Sequence, residues 1–417
     1  MEHSAAGPEL TQGVGAYVAH GLKESPVVRA AFARWEAAIQ QVARSRSLPE
    51  PTLGFTVFLQ AVETRVGPQQ GRVSLEQVFP WPTALSASAG AAAARARAAG
   101  EAFAATELAA TEQIEAAYWD LWAIRAAQGS HTEHLSVIDG LSEVLRARVE
   151  VGTAGLADLQ QVDLSRARLD SAIQTMHAEE HIAAATLRGL LGLRETIPVP
   201  TSDTPPAVAL PEGSDEQLFS AAMSHPHIAQ AAAQADAAAD TVRLARSRRM
   251  PGLSLSAGWT PIGDTPAHSS GHADEMGRDA LSVGMGLSLP LWQRTYTADI
   301  AAARALVSAA EADHDTVAVS LTEAVLQWRV RVTDSARRVA ITQDTLLPQA
   351  EAAYASLLGG YTTGDSPVAQ VLLAQRDLLE LTVALDNARA DHARAWAGLE
   401  RACGQPIPRR PAAQEAP

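Results

Sequence analysis

The chain has 417 residues, with 33 Lys and Arg against 47 Asp and Glu, a formal net charge of −14 and aromatic residues at only 5%. That balance excludes a nucleic-acid partner, because no basic cluster offsets phosphate repulsion, and it excludes a dense aromatic core. The single cysteine, Cys403, excludes a disulfide within the chain.

Met1–Lys23 lacks a basic start and an apolar segment, so no secretory leader is read there, and no cysteine near it suggests a lipid anchor. Taken alone this points to the cytoplasm; an exported protein requires a leader already removed or missed. No run of 18 apolar residues reads as a membrane-spanning helix. Ser25-Pro26 opens a helix that stops before Pro49. The period then changes to two. Leu53, Phe55, Val57 and Leu59 alternate with Thr52, Gly54, Thr56 and Phe58, predicting a strand over about 52–60. Val73, Leu75, Gln77 and Phe79 predict its partner over about 73–79. After Pro80 an Ala-rich helix runs over about 83–148, roughly 100 Å at about 1.5 Å per residue. It ends at a tip over 149–155, Val151-Gly152-Thr153-Ala154-Gly155, where Gly fits a helix C-cap. A return helix follows over 156–193. Residues 195–214, rich in Pro, Thr and Ser, read as an extended linker.

The same order then returns. His225-Pro226 repeats Ser25-Pro26 at an offset of 200, and Ala245-Arg246-Ser247-Arg248 repeats Ala43-Arg44-Ser45-Arg46 at 202. Val283 to Pro290 repeats Val73 to Pro80 at 210, and Gly364 repeats Gly152 at 212. The offset never decreases, so the copies are collinear, and most of its growth falls between Pro251 and Val283. Duplication accounts for this; generic similarity among Ala-rich helices would not keep the order. The second copy predicts strands over about 252–260 and 282–289, a long helix over about 295–357, a tip over 358–366 and a return helix over 367–402. Leu321, Val325, Trp328 and Val332 have the spacing of a coiled-coil seam. The repeats thus occupy 1–194 and 215–404, and the tail 405–417, with four prolines, is expected to be disordered.

The fold class is therefore mainly α with a small β part: a duplicated helix–strand–strand–helix unit. Strands of eight to ten residues are about what a tilted strand needs to cross a bilayer. Four strands cannot close a barrel, so a membrane role demands an oligomer, and three copies would supply twelve strands. The rival is a soluble coiled-coil scaffold, an interaction protein without a pore.

Sites of chemistry are weak. His177-Ala178-Glu179-Glu180-His181 is not the zinc-protease pattern, because the Glu does not follow the first His directly. His268, His272 and Asp274, with Glu275, are weak metal-ligand candidates in the enlarged loop Pro261–Asp279, against the blander reading of a solvated loop. His131 and His134 read as solvated, and Cys403 as a small packing residue. Gly284-Met285-Gly286 lies inside a strand, which argues against a nucleotide fingerprint. No nucleophile–base pair stands out and no cofactor is expected; an enzyme is the least favoured reading.

The doubled order resembles the TolC-type outer-membrane efflux family, from about Leu10 to Gly404. Leu48-Pro49-Glu50-Pro51-Thr52-Leu53 resembles its entry to the first strand. Glu76-Gln77-Val78-Phe79-Pro80 and Leu287-Ser288-Leu289-Pro290-Leu291 resemble its strand-to-helix junctions, and Gly152–Leu159 and Gly364–Val371 its hairpin tips. The text from Pro49 to Pro82 is similar to the heavy-metal branch. The resemblance implies a homotrimer, a 12-stranded β-barrel in outer-membrane lipid and a long helical coiled-coil barrel through the periplasm. It also implies a periplasmic adaptor (membrane fusion) protein and an inner-membrane pump such as an RND pump as partners. Adaptor docking would fall on Val151, Gly152, Thr153, Ala154, Thr363, Gly364 and Asp365, although the family's Val-Gly-Leu-like tip is here Val151-Gly152-Thr153-Ala154. Asp158 and Asp365 are the gate candidates; for Asp158 the plainer reading is an acid in the first turn of a helix.

Overall fold

The computed structural model describes residues 13–64, 67–263 and 278–411, and is mainly helical with a small strand part. In chain order the first half carries α1 (Val14–Glu24), α2 (Pro26–Ser45), β1 (Thr52–Thr64), β2 (Gly67–Phe79), α3 (Pro82–Glu150) and α4 (Leu156–Leu191). The second carries β3 (Ala209–Pro211), α5 (Asp215–Ala222), α6 (Pro226–Ser247), β4 (Gly252–Thr260), β5 (Ala280–Ser288), α7 (Gln293–Ile341), α8 (Leu347–Thr363), α9 (Val368–Cys403) and β6 (Arg409–Pro411).

Several boundaries differ from expectation, each for a physical reason. The first hairpin is longer than 52–60 and 73–79: pairing continues through Val62↔Gln69, Glu63↔Pro68 and Thr64↔Gly67 after a register shift past Val57. Those residues are polar or lack alternation, so a search for apolar period two stops short. The second long helix does not end near 357. It continues to Thr363 through one π-helical turn at Thr342–Leu346. Pro348 explains the turn: it has no N–H for the carbonyl of Asp344, and its ring crowds that carbonyl, so the helix widens there. The supposed extended linker and disordered tail meet: Ala209–Pro211 pairs antiparallel with Arg409–Pro411. Helices α1 and α5 were not expected from the sequence.

Two compact units result, and each draws on both halves. The first comprises Met1–Ala33, Glu101–Ile228 and Thr316–Pro417; the second comprises Arg34–Gly100 and Ala229–Asp315. In the first unit, Tyr17, Ile114, Tyr118, Leu121, Leu187 and Leu191 form one buried cluster, and Leu218, Val325, Val332, Trp396 and Leu399 form another. The helix ends are pinned in equivalent ways. Gly192 (φ +68°) ends α4 against Pro26, and Gly404 (φ +72°) ends α9 against His225. Strand β3 is fixed by a buried network. Ala209 N donates to His392 Nε2 (3.1 Å), the Trp396 indole N–H reaches both His392 Nε2 (3.0 Å) and Ala209 O (3.1 Å), and Ser335 Oγ lies 3.0 Å from His392 Nδ1. Burial pushes the His392 pKa down to about 4, so the ring is neutral and free to accept.

The second unit holds a four-stranded antiparallel sheet in the order β1-β2-β4-β5. Strands from the two halves meet at its centre, where β2 pairs with β4 from Val73↔Trp259 to Phe79↔Leu253. Beside it, Val242 and Ala245 of α6 pack on Ile300 and Ala303 of α7.

Candidate functional site

Both hairpin tips are built by the same backbone device. At the first, Gly152 adopts φ +76°, its N–H donates to Val149 O (3.0 Å), and the Thr153 N–H donates to Arg148 O (2.8 Å). At the second, Gly364 adopts φ +90°, its N–H donates to Tyr361 O (3.3 Å), and the Asp365 N–H donates to Gly360 O (2.8 Å). These are the paired bonds of a Schellman cap, which satisfies the last carbonyls of a helix and needs a left-handed residue. Gly155 and Pro367 then start α4 and α9 from extended backbone.

The side chains differ between the tips. Val151 and Leu156 are 73% and 60% exposed at the first, whereas Val368, the repeat equivalent of Leu156, is buried. Val368 joins Ile138, Leu145 and Val162 in a cluster lined by Ala154, Leu159 and Tyr361, so α3, α4, α8 and α9 converge there. The Arg148 guanidinium lies 5.2 Å from the centre of the Tyr361 ring and links the two tips. Of the predicted residues, Val151, Gly152, Thr153, Thr363, Gly364 and Asp365 are exposed, and Ala154 and Asp158 are half-buried. Asp365 is turned onto its own tip: the Thr363 hydroxyl lies 2.7 Å from Asp365 Oδ2 and 3.0 Å from Gly360 O. Sequence reasoning missed Arg148 and Tyr361; only the +212 spacing that superposes the two tips could have drawn attention to them.

The sheet supplies the second feature. On one face stand Leu53, Phe55 and Val57 of β1, Leu75 of β2, Leu255 and Trp259 of β4, and Leu281, Val283 and Met285 of β5, all exposed. Val283 is 88% exposed. The opposite face carries Thr52, Gly54, Thr56, Ser74, Ser256, Gly258, Ser282 and Gly284, which the register aligns across the strands. Leu291, Trp81 and Trp292, at the strand-to-helix junctions, are exposed as well. A water-facing sheet would not present this wide apolar face. No helix among the described residues is long and apolar enough to cross a membrane.

Among the described residues no group of three or more His, Cys, Asp or Glu is placed to hold a metal; His268, His272 and Asp274 lie outside the described residues. His177 lies 3.9 Å from Glu180, which itself takes a 2.8 Å bond from Arg125. His131 and His134, expected to be solvated, are half-buried against α4 and α9 beside a groove of about 510 Å³; burial lowers the His134 pKa. Cys403 is buried, with its pKa pushed up to about 11 by burial. A thiol with so little thiolate is inert packing.

The outer membrane efflux protein family matches residues 218–405. The outer membrane efflux protein BepC of Brucella suis biovar 1 (strain 1330) is 26% identical over 297 residues. That match covers 70% of this chain and 62% of BepC, under two-thirds of the relative's length. Among solved structures, the outer-membrane channel OprN superposes with a TM-score of 0.79 at 19% identity, over 94% of this chain and 89% of that one. The outer membrane protein VceC of Vibrio cholerae gives 0.77 at 22% identity, over 94% and 96%. The second repeat thus carries the family's sequence, nearly the whole chain carries the fold of such channels, and the resemblance drawn from the repeats is borne out.

Proposed function

We propose that this chain, a member of the TolC-type outer-membrane efflux family, is the outer-membrane channel of a tripartite efflux system, a passive conduit and not an enzyme. The observation that carries the proposal is the four-stranded sheet with one exposed apolar face and two free edges, β1 and β5. A sheet in lipid cannot leave an edge unpaired, because unsatisfied N–H and C=O groups cost several kcal/mol each in hydrocarbon. The even strand number lets β5 of one copy run antiparallel to β1 of the next. Three copies then close a 12-stranded barrel in the outer membrane, apolar face to lipid and polar face to a water-filled lumen. The helices extend into the periplasm as a hollow bundle. We read the two halves as copies of one ancestral unit, which gives the trimer an approximate six-fold plan.

The tips would meet a periplasmic adaptor, which connects the conduit to an inner-membrane pump of the RND kind. Val151 to Ala154 and Thr363 to Asp365 are the docking residues in this reading. Asp158 and Asp365 would each form a three-fold ring near the mouth, drawing cations and resisting closure while charged. Reconstitution into planar bilayers tests the whole: the expected result is a detergent-soluble trimer with discrete conductance. A monomer that neither enters detergent nor conducts would overturn it.

A further inference from the structure

The polar face of the sheet is built in very low relief. Glycine stands opposite serine repeatedly: Gly54 and Gly258 both face Ser74, Gly258 also faces Ser282, Gly284 faces Ser256, Gly286 faces Ser254, and Gly252 faces Ser288. One long cation crosses this surface. Arg72 starts on β2, passes over β4 at Gly258, and its Nη2 donates to Ser282 Oγ on β5 at 3.4 Å. The glycine makes room for it. A Cβ at position 258 would lie 3.0 Å from Arg72 Nη2 and 3.2 Å from Nε, closer than ordinary contact.

Among the described strand residues, the other charges on this face stand well apart. Glu76 is four residues from Arg72 along β2, and Glu63 faces Pro68, four residues the other way. At about 3.3 Å per residue each separation is roughly 13 Å, longer than the screening length of about 8 Å at physiological ionic strength. Among the described strand residues, the three charges therefore act as separate layers, with an acid on either side of one base.

We propose that Arg72 is a selectivity residue of the pore wall, a transient site for anionic groups such as carboxylate, phosphate or sulfonate on a passing solute. The inference rests on the channel reading: the polar face lines the lumen, and a trimer sets three guanidinium groups at one level. Gly258 and Ser282 hold the side chain flat, so it offers charge without narrowing the bore.

The test is the reversal potential of purified trimer in planar bilayers under a KCl gradient, in dilute salt and near 1 M. In dilute salt the ratio of chloride to potassium permeability should fall at least about twofold in Arg72→Gln and further in Arg72→Glu. Near 1 M, where the screening length is about 3 Å, the difference should shrink away. Gly258→Val should push the guanidinium off the wall and lower the single-channel conductance, and Arg72→Ser in that background should restore it. Conducting trimers whose permeability ratio is the same in wild type, Arg72→Gln and Arg72→Glu would overturn the role of Arg72 alone. Wild-type trimers that do not conduct would overturn the channel reading with it.

Discussion

Gly398 offers a sharp test of how α9 packs on α7. A Cβ at this position would lie 2.5 Å from Trp328 Cδ2 and Cε2 and 2.7 Å from Cε3. Carbon atoms pack at about 3.5–4.0 Å, so helix or ring must move by roughly 1 Å. The ring packs against the buried cluster of Val325, Val332, Trp396 and Leu399 on one side, so moving it disturbs that cluster. Gly398→Ala gains up to about 1 kcal/mol of helix propensity and loses about 1–3 kcal/mol to overpacking. The expected net is a loss of about 1–2 kcal/mol, a fall of a few °C in the thermal midpoint of the detergent-solubilised protein. Gly129→Ala is the internal control: it lies in α3, where an added methyl would meet nothing within 4 Å, so it should stabilise by up to about 1 kcal/mol. Trp328→Leu should relieve the clash, giving a coupling above about 0.5 kcal/mol in a double-mutant cycle. If Gly398→Ala raises the midpoint as much as Gly129→Ala does, the indole is not seated on Gly398 and the account of this interface is wrong.

Three further outcomes are expected. Burial first, then repulsion from Glu400 and Glu112, raises the Glu115 pKa to about 7 despite Arg409. The native state therefore holds more protons than the unfolded chain between about pH 4.5 and 7, and stability falls as pH rises through that window, by on the order of 3 kcal/mol at most. Glu115→Gln should remove this slope, so its thermal midpoint should exceed that of wild type at pH 8 by more than at pH 5; a constant difference would count against it. On the sheet, Met285→Arg should cost about 2–4 kcal/mol of bilayer stability and reduce trimer recovered in outer membranes, whereas Ser256→Arg on the opposite face, where it would stand beside Glu76, should be tolerated; equal loss from both would contradict the assignment of faces. At the tips, Asp158→Asn with Asp365→Asn should lower the ratio of potassium to chloride permeability of the reconstituted channel in dilute salt, and an unchanged ratio would remove both residues from the gate.

What was legible in the sequence was legible for local reasons. Leu53 to Val57 and Leu253 to Trp259 alternate because one face of the sheet is mainly apolar, and Pro49, Pro80, Pro251 and Pro290 mark where helix and strand change over. Gly152 and Gly364 could be placed because a left-handed cap residue is nearly always glycine. What escaped depended on distant partners. Ala209–Pro211 and Arg409–Pro411 are too short to carry a period, and each is a strand only because the other lies beside it. Thr64 and Gly67 extend a hairpin through polar residues that show no alternation. The link from Arg148 to Tyr361 joins residues whose neighbourhood exists only once two hairpins have packed.

The tips show why equal backbones need not make equal surfaces. Both use the same cap, so Gly152→Ala and Gly364→Ala should each cost about 1–2 kcal/mol for forcing a side chain into left-handed backbone. The side chains then diverge. Val368 is already buried within its own chain, sealed by Ile138, Leu145 and Val162. Leu156, in the same repeat position, is left facing outward beside Val151. Apolar area gains about 25 cal/mol per Å² when it leaves water, so the first tip has an unused contribution to offer a partner and the second does not. In the proposed channel the adaptor would therefore grip the first tip through apolar contact, and meet the second mainly through Thr363, Asp365 and the backbone around them. Leu156→Ser should then weaken adaptor binding far more than Val368→Ser at matched stability, as measured by pull-down of the trimer with its adaptor. Equal losses from the two would mean that the unequal repeats present equivalent docking surfaces after all.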